Sequence, residues 1–357
     1  MSIRTKIRIS NIIVGALSLI LVVILGGWTF FDSYYQKMNY APEDSFILSD
    51  SEIDAINKEM QDGDATNSPD EDIESAENAI LENLENNATE IAYDKDVFNI
   101  LLIGTDNREN VAGDRSDSMI LVSLNNKTKK IVMTSFMRDS YVSIPGYGNN
   151  RLNAAYAYGG ASLLIETIET NFKIKINRYA KVGFDSFMEL IDIIGGVEIE
   201  ISEAERKVIN DYVKELNWIN NDDDLNKDIL DNSGLVKLNG KQALCYARIR
   251  YVGNADFERT ERQRKILTKA FEKMKRSSIS ELNELLNAAL PMVTTNLTQG
   301  ECFSLLLDAP TYLGYDLVSN RVPYDGAWEG VTINQMAVLS LDFEEIIDTL
   351  LKDVYGE

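Results

Sequence analysis

Four clusters of carboxylate and guanidinium side chains break into otherwise apolar stretches of this chain. Gly104-Thr105-Asp106-Asn107-Arg108 follows one apolar run, and Asp114-Arg115-Ser116-Asp117 precedes the next. Ser135-Phe136-Met137-Arg138-Asp139 ends a third, with Arg151-Leu152-Asn153 close behind. The fourth joins Arg248-Ile249-Arg250 to Asp256-Phe257-Glu258-Arg259 and Gln263. Asp106 and Asp117, from adjacent loops, could share one Mg²⁺, which takes one or two carboxylates and leaves positions for substrate phosphate. Arginine forks match phosphate oxygens bidentately and stay charged at any working pH. If extended, Arg248 and Arg250 point to the same face. On a helix, Arg259 and Gln263 stack on one side. Each cluster also has a plain structural reading. Asp106-Asn107 would serve as an Asx-turn, and Arg115 with its neighbouring Asp as a weak surface ion pair. Arg262, Arg264, Lys265 and Lys269 read as the solvated charged face of their helix.

Composition narrows the chemistry. The 357 residues hold 35 Lys+Arg, 57 Asp+Glu, two Cys and no His. Without His there is no Ser-His-Asp or Cys-His nucleophile. Without His and with only Cys245 and Cys302, nearly every zinc site is excluded. The two thiols, far apart, read as unpaired. Carboxylates, Arg, Lys, hydroxyls and an oxygen-loving metal remain. A net charge of −22 argues against a nucleic-acid coat.

The elements that must position these residues come next. Ile12 to Phe31 is a run of 20 residues without a charge. At about 1.5 Å per residue, a helix of that length spans the roughly 30 Å hydrocarbon core of a bilayer. Arg4, Lys6 and Arg8 precede it and place the N-terminus in the cytoplasm. The run is too long, and its flank too bulky, for a cleaved signal peptide. Residues 43–96 hold 18 acidic residues against Lys58 and Lys95. They read as a solvated spacer extended by self-repulsion, with weak helical spacing around Ile73 to Leu84. From Val97 the texture changes. FNILLIG (98–104) reads as a buried strand, and MILVSL and KIVMTSF as a hairpin about Asn125 to Lys129. Helical spacing covers Ala161 to Phe172, Phe184 to Ile191, Lys241 to Arg248 and Phe257 to Arg276. VEIEI reads as a strand after Gly195-Gly196, Asn217 to Asn232 as a polar surface loop, and Asp342 with Glu345 as the cap of a last helix. Strands alternating with helices imply a layered α/β domain. The expected organisation is a cytoplasmic tail (1–11), a transmembrane helix (12–31), an acidic extracellular spacer (32–96) and a catalytic domain (97–357).

In this order the motifs resemble the LytR-CpsA-Psr family of cell-envelope phosphotransferases. The stretches that carry the resemblance are NILLIGTDNR (99–108), DRSDSMILVSLN (114–125), RDSYVSIPGYG (138–148), RLNAAYAYGG (151–160), VGFDSFMELIDIIGGVEIEI (182–201), LNGKQALCYARIR (238–250) and DFERTERQRKIL (256–267). The resemblance implies a three-layer α/β/α extracellular domain with a central mixed sheet. It implies that a polyprenyl-pyrophosphate-linked glycopolymer is held with its lipid in an apolar tunnel. The glycan would move, with its proximal phosphate, to a peptidoglycan hydroxyl. By motif, Asp106 and Asp117 would hold Mg²⁺ (or Mn²⁺). Arg115, Arg138, Arg151, Arg248, Arg250, Arg259 and Gln263 would surround the pyrophosphate, with Asp106, Asp117 and Arg138 catalytic. Arg151 stands where the family usually has Lys, Met137 where it has Pro, and Glu258 adds a charge beside the site.

Phosphoryl transfer needs charge neutralisation and positioning more than a protein nucleophile, so the His-free composition agrees with that implication. Asp106 or Asp117 would take the acceptor proton. Two other readings compete. A membrane-bound transcriptional regulator is disfavoured by the net −9 left over 97–357. A hydrolase of the same lipid pyrophosphate would use the same residues.

Overall fold

The computed structural model describes residues 31–63, 73–86, 90–105, 116–250, 252 and 255–356. The expected transmembrane run, apart from Phe31, lies outside the described residues. So do Asp106 and Arg115.

A seven-stranded mixed sheet runs through the molecule. Its order is Asn39–Tyr40, Thr294–Thr295, Arg178–Gly183, Val97–Thr105, Ser116–Asn125, Lys130–Phe136, Asp316–Val322. Val97–Thr105 pairs parallel with Arg178–Gly183 and antiparallel with Ser116–Asn125. The hairpin expected about residues 125–129 joins Ser116–Asn125 to Lys130–Phe136. Side chains alternate across a strand. Leu101, Ile103, Leu121 and Val132 therefore enter one core, covered by the helices Ile73–Asn86, Leu152–Phe172 and Phe343–Tyr355. The opposite face carries the helices Phe184–Ile193, Gly240–Ala247 and Ala255–Met274. Helices thus lie on both faces of the sheet.

The helix expected from Ala161 begins at Leu152 and bends at Gly159 and Gly160. Gly160 sits at φ 67°, where the Asp44 carbonyl oxygen would be 2.4 Å from any Cβ. Asp44 in turn forms a 2.7 Å ion pair with Lys181 on the sheet.

Two expectations need correction. The acidic stretch 43–96 is not an extended spacer. It forms the helices Asp50–Gly63 and Ile73–Asn86. Ile56, Ala76 and Ile80 are buried in the main core, and Asn83 donates to the Asn171 carbonyl at 3.0 Å. Helical spacing collects the few apolar residues on one stripe, and Glu82 and Glu85 stay in solvent. Second, the stretch 217–232 is anchored. Helix Glu203–Ile219 runs into it, and buried Asn217 donates to the carbonyls of Leu225 and Lys227.

Candidate active site

The side-chain alternation that builds the core also builds a floor on the opposite face. Strand register sets Leu102 beside Ile120 and Ala180, and Gly104 beside Ser118 and Val182. These two rows floor a cavity of about 460 Å³. Its roof comes from Phe184, Phe187 and Leu190 of one helix, and Leu244 and Ala247 of another. Arg259, Gln263 and Leu267 descend the helix Ala255–Met274 at intervals of four, so one stripe runs from charge to hydrocarbon. Arg248, Arg250 and Asp117 line the polar end. A largely apolar hollow with a few convergent polar groups is the usual form of a ligand site.

Asp117 reaches this cavity through an irregularity. Gly104 pairs with Ser118 and Thr105 with Ser116, leaving Asp117 as the extra residue of a bulge. A bulge re-aims a side chain. Asp117 and Ser118 consequently both line the cavity, which strict alternation would forbid.

Around Asp117 the arginines converge. Arg138 Nη1 lies 3.4 Å and Arg250 Nη2 3.8 Å from Asp117 Oδ1. Arg248 caps the helix Gly240–Ala247, and its guanidinium sits 5.3 Å from the Phe184 ring centre and 6.0 Å from that of Tyr212. Stacking on rings holds a guanidinium in place with its edge free to accept oxygens. Arg259 is buried at the cavity wall. The structure therefore brings together Asp117, Arg138, Arg248, Arg250, Arg259 and Gln263.

Arg151 does not join them. Its side chain is buried, donates to the Ala337 carbonyl at 2.6 Å and lies 3.7 Å from Asp139. Asp139 also lies 3.5 Å from Arg138 Nε. Among the described residues, Arg151 reaches the cavity through Asp139 and Arg138.

The expected solvated face of the helix Ala255–Met274 is also corrected. Arg262 and Arg264 are buried at 4% and 7% exposure. Arg262 forms ion pairs with Glu205 at 2.9 Å and Glu258 at 2.8 Å. It also donates to the carbonyls of Ile249 and Val252, bracketing the segment that carries Arg250. The extra charge of Glu258 is thereby paired. Arg264 donates to Ser319 at 2.8 Å, and burial lowers its guanidinium to about 10. The only sequence signal for the Arg262 clamp was the spacing of four from Glu258. Glu205, far away in the chain, left none.

Neither thiol supplies a nucleophile. Burial raises Cys245 to about 12 and Cys302 to about 11, so both stay protonated near neutrality.

A polyisoprenyl-teichoic acid–peptidoglycan teichoic acid transferase TagU of Enterococcus faecalis is 34% identical over 226 residues, 62% of this chain and 68% of its own. A protein of the same name from Oceanobacillus iheyensis is 33% identical over 261 residues, 71% of this chain and 74% of its own. The solved structure of TagT bound to LIIa-WTA superposes with a TM-score of 0.58 at 25% identity, over 74% of this chain and 93% of its own. The LytR_cpsA_psr family model matches residues 57–350, and the chain belongs to that family.

Proposed function

We propose that the protein is a membrane-anchored phosphotransferase. It moves a glycopolymer with its proximal phosphate from a polyprenyl-pyrophosphate carrier to a peptidoglycan hydroxyl. The observation that carries this reading is the apolar cavity floored by the sheet and lined at its mouth by Asp117, Arg248, Arg250 and Arg259. A hydrocarbon chain with a diphosphate head matches an apolar hollow with arginines at its mouth. The relatives named as polyisoprenyl-teichoic acid–peptidoglycan teichoic acid transferases, and the TagT complex, support it.

Arg248, Arg250, Arg259 and Gln263 hold the pyrophosphate oxygens, and the floor rows exclude water from the lipid. The acceptor oxygen attacks the sugar-linked phosphorus. The bond from that phosphorus to the bridging oxygen breaks, and polyprenyl phosphate leaves with the electron pair. The hydroxyl proton passes to a carboxylate, Asp117 or Asp106. Arg138 fixes Asp117 and neutralises charge gathering at the phosphoryl oxygens. Asp117 offers a carboxylate oxygen at the mouth, the donor type that Mg²⁺ (or Mn²⁺) takes, and it would hold the ion together with Asp106. Bound there, the ion would neutralise phosphate charge as a Lewis acid. The run 12–31 would span the cell membrane, with the catalytic domain on the peptidoglycan side.

The test uses the full chain in detergent with a lipid-pyrophosphate-linked glycan, peptidoglycan fragments and Mg²⁺. The expected products are polyprenyl phosphate and a glycan joined to peptidoglycan by a phosphodiester. Free phosphorylated glycan as sole product would replace transfer by hydrolysis. Asp117→Asn and Arg138→Ala should each lower the rate by roughly two to three orders of magnitude. Unchanged rates in both would remove the assignment.

A further inference from the structure

The helix Gln299–Tyr312 is apolar on two sides, and one of them is largely exposed. Leu305 and Tyr312 point inward, into a cluster with Phe98, Leu124, Ile131 and Phe271. Phe98, Ile131 and Leu317 begin their strands and Leu124 nearly ends its own. The helix therefore crosses the sheet at the end opposite the Asp117 mouth. On the other side, Phe303, Leu306, Leu307 and Pro310 recur at helical spacing, i, i+3, i+4 and i+7. Leu306 is 41% and Leu307 63% exposed, and Pro310 is exposed as well. Glu301, Ser304 and Asp308 lie between the two apolar sides, and Leu306, Leu307 and Pro310 form an exposed apolar patch beside Phe303.

The position of the stripe says what covers it. Phe31 ends the uncharged run 12–31, and its ring packs edge-on against Phe303 with centroids 5.0 Å apart. The chain is fastened there. Gln299 donates to Asp32 at 2.6 Å, Tyr35 to the Leu297 carbonyl at 3.2 Å, and Lys37 to Asn287 at 2.5 Å. If the run 12–31 spans the bilayer, it leaves it beside Phe303, where the stripe begins. Two leucines and a proline also fall far short of the roughly 800 Å² per partner that a stable dimer buries.

We propose that Leu306, Leu307 and Pro310 seat in the outer leaflet, so that the helix Gln299–Tyr312 lies on the membrane as an interfacial element. This rests on the anchor reading above. It has a consequence for the cavity. Leu267 lines the cavity, and Phe271, one turn further along the same helix, packs with Leu305. Phe271, Leu305 and the helix Gln299–Tyr312 itself thus stand between the apolar end of the cavity and the leaflet, and the charged mouth faces away. The lipid donor would be drawn from the bilayer at the end where its tail belongs.

The experiment places a nitroxide at Leu307→Cys in the full chain, in a Cys302→Ser background. Cys245 is fully buried and does not compete for label. Asp325→Cys, beyond the mouth end of the strand Asp316–Val322, gives the aqueous reference. The chain is inserted in phosphatidylglycerol–phosphatidylcholine nanodiscs. Collision with oxygen, which concentrates in lipid, is compared with collision with a water-soluble nickel chelate. The expected result is an oxygen preference at 307 and a nickel preference at 325. Nickel preference at both sites overturns the proposal and leaves the anchor standing. Shielding of 307 from both reagents overturns it in favour of a protein cover, this chain's own or a second copy. Failure of the chain to enter nanodiscs at all overturns the anchor reading, and the proposal with it.

Discussion

Asp117 is held between two guanidinium groups by an irregularity of one residue, and sequence could name the residue but not the device. Spacing showed Arg248 and Arg250 on one face and Arg259 above Gln263, because those relations are local. Arg262 looks solvent-facing in the sequence, because its partner Glu205 is 57 positions away and pairing at that distance leaves no pattern. The ion pair makes a prediction. Arg262→Ala would take the cation from the largely buried Glu205 carboxylate and release the carbonyls of Ile249 and Val252. Removing one member of a buried pair costs about 3 kcal/mol or more. Denaturant unfolding should show that loss. Transfer should also weaken at the binding step, since Arg250 loses its support without leaving the protein. Arg262→Lys should recover stability in part and bracket the segment poorly, since an ammonium cannot match the fork. A variant with wild-type stability and KM would remove Arg262 from this role.

At the scale of elements, the strands were legible as apolar runs and the helices as periodic stripes. Their pairing was not. The floor of the cavity exists only because Val97–Thr105 lies between an antiparallel and a parallel neighbour, which places three small or branched residues in each row. Gly104 is the narrow point. A Cβ there would lie 3.1 Å from the Ser118 Cβ, so any side chain must project into the cavity. Gly104→Val should exclude long polyprenyl donors while sparing short-chain ones, seen as a chain-length-dependent rise in KM. Equal loss for both would show that the floor does not read the lipid. Gly240 marks a second close approach, where a Cβ would meet the Met188 carbonyl oxygen at 2.0 Å. Gly240→Ala must push apart two helices that frame the cavity. A stability loss of at least about 1–3 kcal/mol is expected by thermal unfolding.

The whole molecule carries −22, and the sequence reading assigned most of that charge to a spacer. The structure instead folds part of this stretch onto the core, because a handful of residues such as Ile56 and Ile80 suffice once they share a face. Charge density alone did not reveal that stripe. The charge still decides how the protein answers to pH. An Arg206 hydrogen bond holds Glu203 at about 2, against burial. Burial pushes Glu205 up, but the Ser202 backbone, Arg262 and the Ser202 hydroxyl outweigh it and leave it below its usual range. At Glu301, Arg178 and Thr298 overcome burial in the same way. A carboxyl depressed by folding contributes stability above its unfolded value, and that stability is lost as pH falls through the folded one. Glu205 and Glu301 cap the helices Glu203–Ile219 and Gln299–Tyr312, and Glu205 neutralises Arg262, so acid should loosen both helix starts and the Arg262 clamp together. The melting temperature should hold from neutrality to about pH 5 and fall below about pH 4. Between roughly pH 6 and 8 the chain has no His to titrate, and both thiols lie far above. The kcat/KM profile should therefore be flat across that window while the melting temperature is also flat. A bell centred near pH 7 would mean that a group with a strongly displaced titration takes the acceptor proton, and would shift attention to the carboxylates at the mouth.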